Sequence, residues 1–381
     1  MSGQLPPPGD GGVSAAGAVA GTPSEVIERA FGAENRARLL GEYFTTVVAS
    51  SGELTAGSAW QHVYRLLLWI DRTTNLAHCY ESDKCQPGRP WYARSLAFHS
   101  WLADALGVTP AAVGGEIDTL FKQVNRDLAA TAAARVSERA RAAARQREPY
   151  QDCGLPQPGE DPELEAIITA TLALHLGATP PPAVLRTLTE RVRAYFAQEN
   201  KRKNLVGEGF EDTLAALLRR IPGIAERYDI RVRPLLHELP GFHPPRGQEK
   251  PKQVDLALVG RSSGRRLLIS CKWSVRSDRE EQFGNDFRAY TQLEAHGQDF
   301  DYVLATNEFD PARLARACEV RRENALLFRD VVHVNPDGLR AAYSAASVPG
   351  RSSGTARALA HVETGRLAGL RSWLVGLAST E

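Results

Sequence analysis

Residues Lys252–Phe283 read KQVDLALVGRSSGRRLLISCKWSVRSDREEQF, and the architecture expected of the chain is built outward from them. Val254–Val259 and Arg266–Lys272 are short apolar runs bounded by charge and turn residues, so both read as strands. Ser262-Ser263-Gly264 between them supplies a hairpin turn and makes them antiparallel neighbours. That pairing brings Asp255 beside Lys272, while Ser270 and Lys272, two apart, share one sheet face. A lysine at a buried strand end needs a negative partner, because an unpaired buried charge is expensive. Ser277-Asp278-Arg279-Glu280 then has capping-box form. A helix is expected to start there, with Asp278 and Arg279 in its first turn and Arg276 just ahead of it.

Further strands are expected at Asp229–Leu236, Tyr302–Thr306 and Val331–Val334, and helices at Phe210–Arg220, Ser277–His296 and Pro311–Glu323. The resulting order is helix, three strands, helix, strand, helix, strand, an α/β core with a mixed central sheet flanked by helices. Helical patterns at Glu163–Leu176 and Ala183–Asn200 precede it, and the domain is drawn over residues 163–344. Residues 149–162 (PYQDCGLPQPGEDP, from Pro149) form a linker by their prolines and glycines. Residues 22–148 read as a helical N-terminal domain. It opens on Thr22-Pro23-Ser24-Glu25 and carries an apolar face of Trp60, Val63, Tyr64, Leu67 and Leu68. Residues 1–21, almost without charge or aromatics, are expected to be a disordered tail. Residues 345–381 are expected to be a C-terminal tail with a short amphipathic helix.

The 381 residues are 43% apolar and 24% charged, ordinary for a globular chain, with a formal net charge of +1. Residues 201–276 hold 16 Lys and Arg against 8 Asp and Glu, a local basic excess compatible with a polyanionic partner. No apolar run approaches the roughly 18 residues of a membrane span, so no membrane partner is expected. The five cysteines form no CxxC pair and the first residues lack a secretory pattern, which points to the cytoplasm.

A carboxylate beside a lysine is the arrangement that metal-assisted phosphodiester hydrolysis uses: the carboxylate holds Mg²⁺, and the lysine orients water and offsets developing charge. Taken alone, Asp255 and Lys272 describe an ordinary salt bridge at a sheet end. The arginines that follow change that weighting. Arginine bonds guanine O6 and N7 together and aspartate accepts from cytosine N4, so Arg276, Asp278 and Arg279 at one helix start suit adjacent G·C pairs.

At SCKWSVRSDR, residues 270–279, the chain resembles restriction endonucleases that cut sites containing CCGG, a branch of the PD-(D/E)XK nuclease superfamily. In that branch serine precedes the lysine in place of an acid, as Ser270 does in this S-x-K variant, and an R-x-(D/E)-R element follows, here Arg276, Asp278 and Arg279. The resemblance covers about residues 200–335. It implies a restriction-endonuclease-like core, catalytic Asp255 and Lys272, Mg²⁺ as cofactor, base readout by the R-x-D-R residues and a 5′-phosphate product. Two departures are Val254 in place of the usual proline and Asp286 in place of a glutamate.

The missing acid is expected on the helix after the motif. Asp286 lies about two turns beyond Arg279 on nearly the same face, and Glu281 is its rival on another side. Upstream, in NLVGEGFEDTLAALL, Gly207 and Gly209 permit a tight start to a helix whose apolar face is Phe210, Leu214, Leu217 and Leu218. The superfamily's first core helix implies a glutamate there, best matched by Glu211 and next by Glu208; as helix N-terminal acids they would otherwise serve the dipole. Cys271 alternates to the face opposite Lys272 and reads as a buried strand residue, although the fold's usual geometry implies that its carbonyl helps hold Mg²⁺. His78, Cys79, Cys85 and His99 lack the spacing of a zinc site.

The expected function is a type II restriction endonuclease, hydrolysing double-stranded DNA at a palindrome containing CCGG. A two-fold dimer or higher oligomer reads such a site most simply. A DNA methyltransferase protecting the same site is the implied functional partner. The alternatives are a modification-dependent or repair nuclease of the same fold, and a CCGG-binding protein whose catalytic centre has decayed.

Overall fold

The computed structural model describes residues 23–71, 76–78, 87–130, 145, 148, 162–177, 180–245, 247, 250–275, 277–296, 299–322, 324–344 and 353–379. The expected 1–21 tail and, apart from Pro162, the expected linker lie outside them. Toward the N-terminus stand α1 (Pro23–Phe31), α2 (Ala33–Ser51) and α3 (Ala59–Leu67), followed by a small antiparallel hairpin of β1 (Trp69–Asp71) and β2 (Leu76–His78). The layer continues with α4 (Pro90–Leu106), α5 (Pro110–Glu116) and α6 over residues 119–130. Pro23, Pro90 and Pro110 each open a helix, where a missing N–H costs nothing.

Next come α7 (Pro162–Leu176), α8 (Pro182–Leu218), the short α9 (Ile224–Arg227) and β3 (Tyr228–Val232). The strands β4 (Leu256–Gly260) and β5 (Arg266–Lys272) lead to α10 (Ser277–Leu293), β6 (Asp301–Thr306) and α11 (Pro311–Glu319). The two-residue strands β7 (Arg321–Arg322) and β8 (Ala325–Leu326) precede β9 (Asp330–His333) and α12 (Pro336–Tyr343). The chain then forms α13 (Ser353–Glu363), β10 (Leu367–Gly369) and α14 (Leu370–Ser379).

Among the described residues, six strands make the central sheet in the order β10-β9-β6-β5-β4-β3. It is mixed: β3, β4 and β5 run antiparallel to one another, whereas β5, β6, β9 and β10 are parallel. β4 and β5 are buried almost throughout, which explains why they read as continuous apolar runs rather than alternating ones. Leu258, Leu268, Ile269 and Leu304 are fully covered, each side chain contributing about 1.5–3 kcal/mol by leaving water.

Three expectations change. The helix expected at Phe210–Arg220, started by Gly207 and Gly209, is the last part of α8, which runs unbroken through both glycines from Pro182. Gly209 serves packing instead: a Cβ there would meet the Leu67 and Leu120 methyls at 3.0 Å, so its absence lets α8 approach α3 and α6. Second, the helical layer is not walled off from the α/β unit. One apolar core runs from Ala30 and Phe44 through Leu67, Leu120 and Phe210 to the sheet. Third, residues 353–379 are no tail. β10 closes the sheet beside β9, and Leu367, Leu370, Trp373, Leu374 and Leu377 are buried. A three-residue strand is too short to show a period in the sequence.

Candidate functional site

Asp255 stands one residue before β4 rather than within it. The register that sets Leu256 opposite Ile269 carries Asp255 alongside Ser270, and the Arg233 N–H donates to the Asp255 carbonyl at 2.9 Å. One carboxylate oxygen, Oδ2, gathers three donors from β5. They are the Ser270 hydroxyl at 3.3 Å, the Cys271 N–H at 2.9 Å and Lys272 Nζ at 2.5 Å. The lysine at the buried strand end therefore has the negative partner that its position demands. The Cys271 thiol points away into the core, where burial, chiefly, pushes it well above its ordinary value.

α8 delivers Glu211, 8% exposed, and Arg233 Nη1 donates to its Oε2 at 2.6 Å. Burial first, and then the negative charge of Asp255, pushes this carboxyl up to about 7, against the pull of Arg233 and Lys272. α10 delivers Asp286, half-buried and 3.6 Å from Lys252 Nζ. Its carboxyl is also raised, chiefly by burial, and it feels both Lys272 and Asp255. Glu211 and Asp286 thus each feel Asp255 and Lys272, although 75 positions of sequence separate the two acids and the four residues come from α8, the approach to β4, β5 and α10.

The rivals lie elsewhere. Glu281 is exposed, in a groove with Arg313, Arg316 and Arg322, and Glu208 is exposed and paired with Arg36 at 2.6 Å. Arg276 lies outside the described residues, and Asp278 and Arg279 are described only as members of the first turn of α10. Cys79 and Cys85 also lie outside, and the buried His99 is lowered by its burial.

Three features escaped the sequence. Arg233, with φ 49, occupies the left-handed region that non-glycine residues rarely enter, and its fork divides between Glu211 and Asp212. Lys252 faces Asp286. Glu308 is buried behind β6; it accepts the Val275 N–H at 2.6 Å, Phe309 at 2.9 Å and Asp310 at 2.7 Å, fixing the backbone just before Arg276. None of the three had a signal in the sequence; Pro234 on its own favours an extended Arg233, not the left-handed one observed.

Among the described residues no group of three or more His, Cys, Asp or Glu forms a ready-made metal cage. The donor chemistry nevertheless suits Mg²⁺, which binds through one or two carboxylates and completes its shell with water and phosphate oxygens. Asp255, Asp286 and Glu211 are hard oxygen donors, and Glu211 and Asp255 repel one another in a way that a cation would relieve. No protein-family model matches the chain, and no curated protein matches it.

Proposed function

We propose that this protein is a Mg²⁺-dependent, site-specific endonuclease of the type II restriction class, cutting double-stranded DNA at a palindrome containing CCGG. The observation that carries the reading is Lys272 Nζ on Asp255 Oδ2 at 2.5 Å, beside Glu211, which burial first and the same carboxylate second raise. The run α8, β3, β4, β5, α10, β6 supports a restriction-endonuclease-like core, and SCKWSVRSDR supports the specificity.

In this reading Asp255 and Asp286, with the Cys271 carbonyl and Glu211 beside them, would hold the metal. Bound there, Mg²⁺ supplies Lewis-acid polarisation of the phosphate and makes water more acidic. Asp255 fixes the Lys272 ammonium. Lys272 donates to the attacking water and to the phosphoryl oxygens as negative charge builds on them. Water attacks phosphorus, the bond from phosphorus to the 3′-oxygen breaks, and the phosphate stays on the 5′ end. Arg276 and Arg279 read guanines and Asp278 a cytosine. Two protomers related by a two-fold axis would each cut one strand, in a cytoplasm where a DNA methyltransferase protects the host's own sites.

Digestion of unmethylated DNA carrying many CCGG contexts, with Mg²⁺ or EDTA and sequencing of the ends, tests this. Discrete Mg²⁺-dependent ends at CCGG are expected and would also give the flanking bases. DNA left intact by protein that binds CCGG in preference to scrambled duplex would favour a decayed nuclease, and cutting of methylated DNA alone a modification-dependent one.

A further inference from the structure

The helical layer reaches the candidate site through an unbroken chain of ion pairs. Arg36 on α2 is 3% exposed. Its Nε donates to Asp212 Oδ2 at 2.6 Å, its Nη2 lies 2.6 Å from Glu208 Oε2, and its Nη1 donates to the Phe31 carbonyl at 2.5 Å. The other Asp212 oxygen is taken by Arg233 Nη2, and Arg233 Nη1 continues to Glu211. Arg233 is in turn tied by its backbone to Asp255.

The division of the Asp212 oxygens gives this chain its consequence. Glu211 and Asp212 are consecutive and share one guanidinium. A guanidinium prefers to close both arms on one carboxylate. With Arg36 on Oδ2, Arg233 meets Asp212 only through Oδ1 and keeps its second arm for Glu211. Without Arg36, Asp212 keeps an unpaired oxygen in a largely buried setting, Arg233 is drawn fully onto it, and Glu211 loses its hold.

We propose that Arg36 is a positioning residue that sets the Glu211 carboxylate through Asp212 and Arg233, so that the N-terminal helical layer completes the metal-binding centre. The proposal rests on the nuclease reading and deepens it, assigning the helical layer a task at the same site. Partners that orient ligands in this way typically change metal affinity or activity by about 10- to 100-fold.

The test uses the full chain as wild type, Arg36→Met, Arg36→Lys and Asp212→Asn. Arg38→Met is the control on the same helix; it removes exposed contacts with Asn35, Glu42 and Asp127, none of which belongs to the relay. Mn²⁺ affinity is read by titration calorimetry, cleavage of a CCGG duplex by single-turnover kinetics with Mg²⁺, duplex affinity without metal, and cooperative melting. For Arg36→Met, Mn²⁺ affinity and cleavage rate are both expected to fall by about 10- to 100-fold, with duplex affinity within about 2-fold. Arg36→Lys should recover part of the loss and Arg38→Met should show none. If Arg36→Met does not fold, Asp212→Asn serves instead: it lets Arg233 close both arms on Glu211, takes the second Glu211 oxygen from the metal and must also lower Mn²⁺ affinity. Unchanged Mn²⁺ affinity in folded Arg36→Met or Asp212→Asn overturns the proposal, as does an equal loss in Arg38→Met. Wild type that binds Mn²⁺ but cuts no CCGG duplex overturns the nuclease reading alone, while the relay stands if Arg36→Met weakens that Mn²⁺ site. Wild type without Mn²⁺ binding overturns both.

Discussion

Glu211 and Glu308 are the same side chain in two regions of this molecule, both buried and both pushed up to about 7 chiefly by burial. Their partners differ. Glu308 spends its oxygens on the N–H groups of Val275, Phe309 and Asp310, and behind it the buried His333, itself lowered to about 4, touches its carbonyl at 3.0 Å. Nothing in that setting leaves an oxygen for a ligand. Glu211 is held by one arginine and faces the charge of Asp255, a repulsion that Arg233 and Lys272 offset only in part. A raised carboxyl therefore marks burial, and only the partners separate a backbone fastener from a candidate ligand.

The largest expected effect comes from the Glu211 side. Lys272→Ala and Glu211→Gln should each lower single-turnover cleavage by about 10²–10³-fold, within the range for removing one group that stabilises a transition state, while cooperative melting survives. A Lys272→Ala protein that cuts at the normal rate would break the comparison at its functional end.

Glu308→Ala should act on folding. It orphans three backbone N–H groups, so a loss of about 2–4 kcal/mol is expected in denaturant unfolding, with CCGG affinity weakened because Val275 precedes Arg276. A Glu308→Ala chain as stable as wild type would show that the fastener holds nothing.

Asp286 and Glu281 sharpen the contrast on α10. Asp286→Asn should cost about 10- to 100-fold in cleavage, because Asp286 lies in the field of Asp255 and Lys272, whereas Glu281→Gln should change little. Kinetics in which Glu281→Gln is the more damaging variant would exchange their roles.

The smallest effect is a pH dependence. A carboxyl raised from 4.5 to about 7 on folding binds more protons in the native state, so its cost is absent below the unfolded value and complete above about 7. Glu211→Gln removes that cost. Its stability relative to wild type should therefore rise by about 1–3 kcal/mol between pH 5 and 8, read from unfolding at both values. A flat difference would show that Glu211 ionises without penalty.

Much of this was legible in residues 252–283. The Arg266–Lys272 strand appears with the expected bounds, the helix starts at Ser277, and Asp255 meets Lys272, because a hairpin converts near-neighbours in sequence into neighbours in space. β10 and the continuity of α8 were not legible. Leu367–Gly369 is too short to show a period, and Gly207 and Gly209 resemble breaks until Leu67 and Leu120 are seen packed against the second of them.

By itself the sequence determined the α/β order, the Asp255–Lys272 pair and the arginine-bearing turn that follows, since each depends on local spacing and on the two periods of backbone structure. Only the tertiary structure decided that Glu211 rather than Glu208 faces Asp255, that Asp286 rather than Glu281 feels it, and that Arg36 reaches the site across 176 residues of chain. Those choices depend on which faces of α8, α10 and α2 are buried together, and long-range packing of that kind leaves no periodic trace in a single chain.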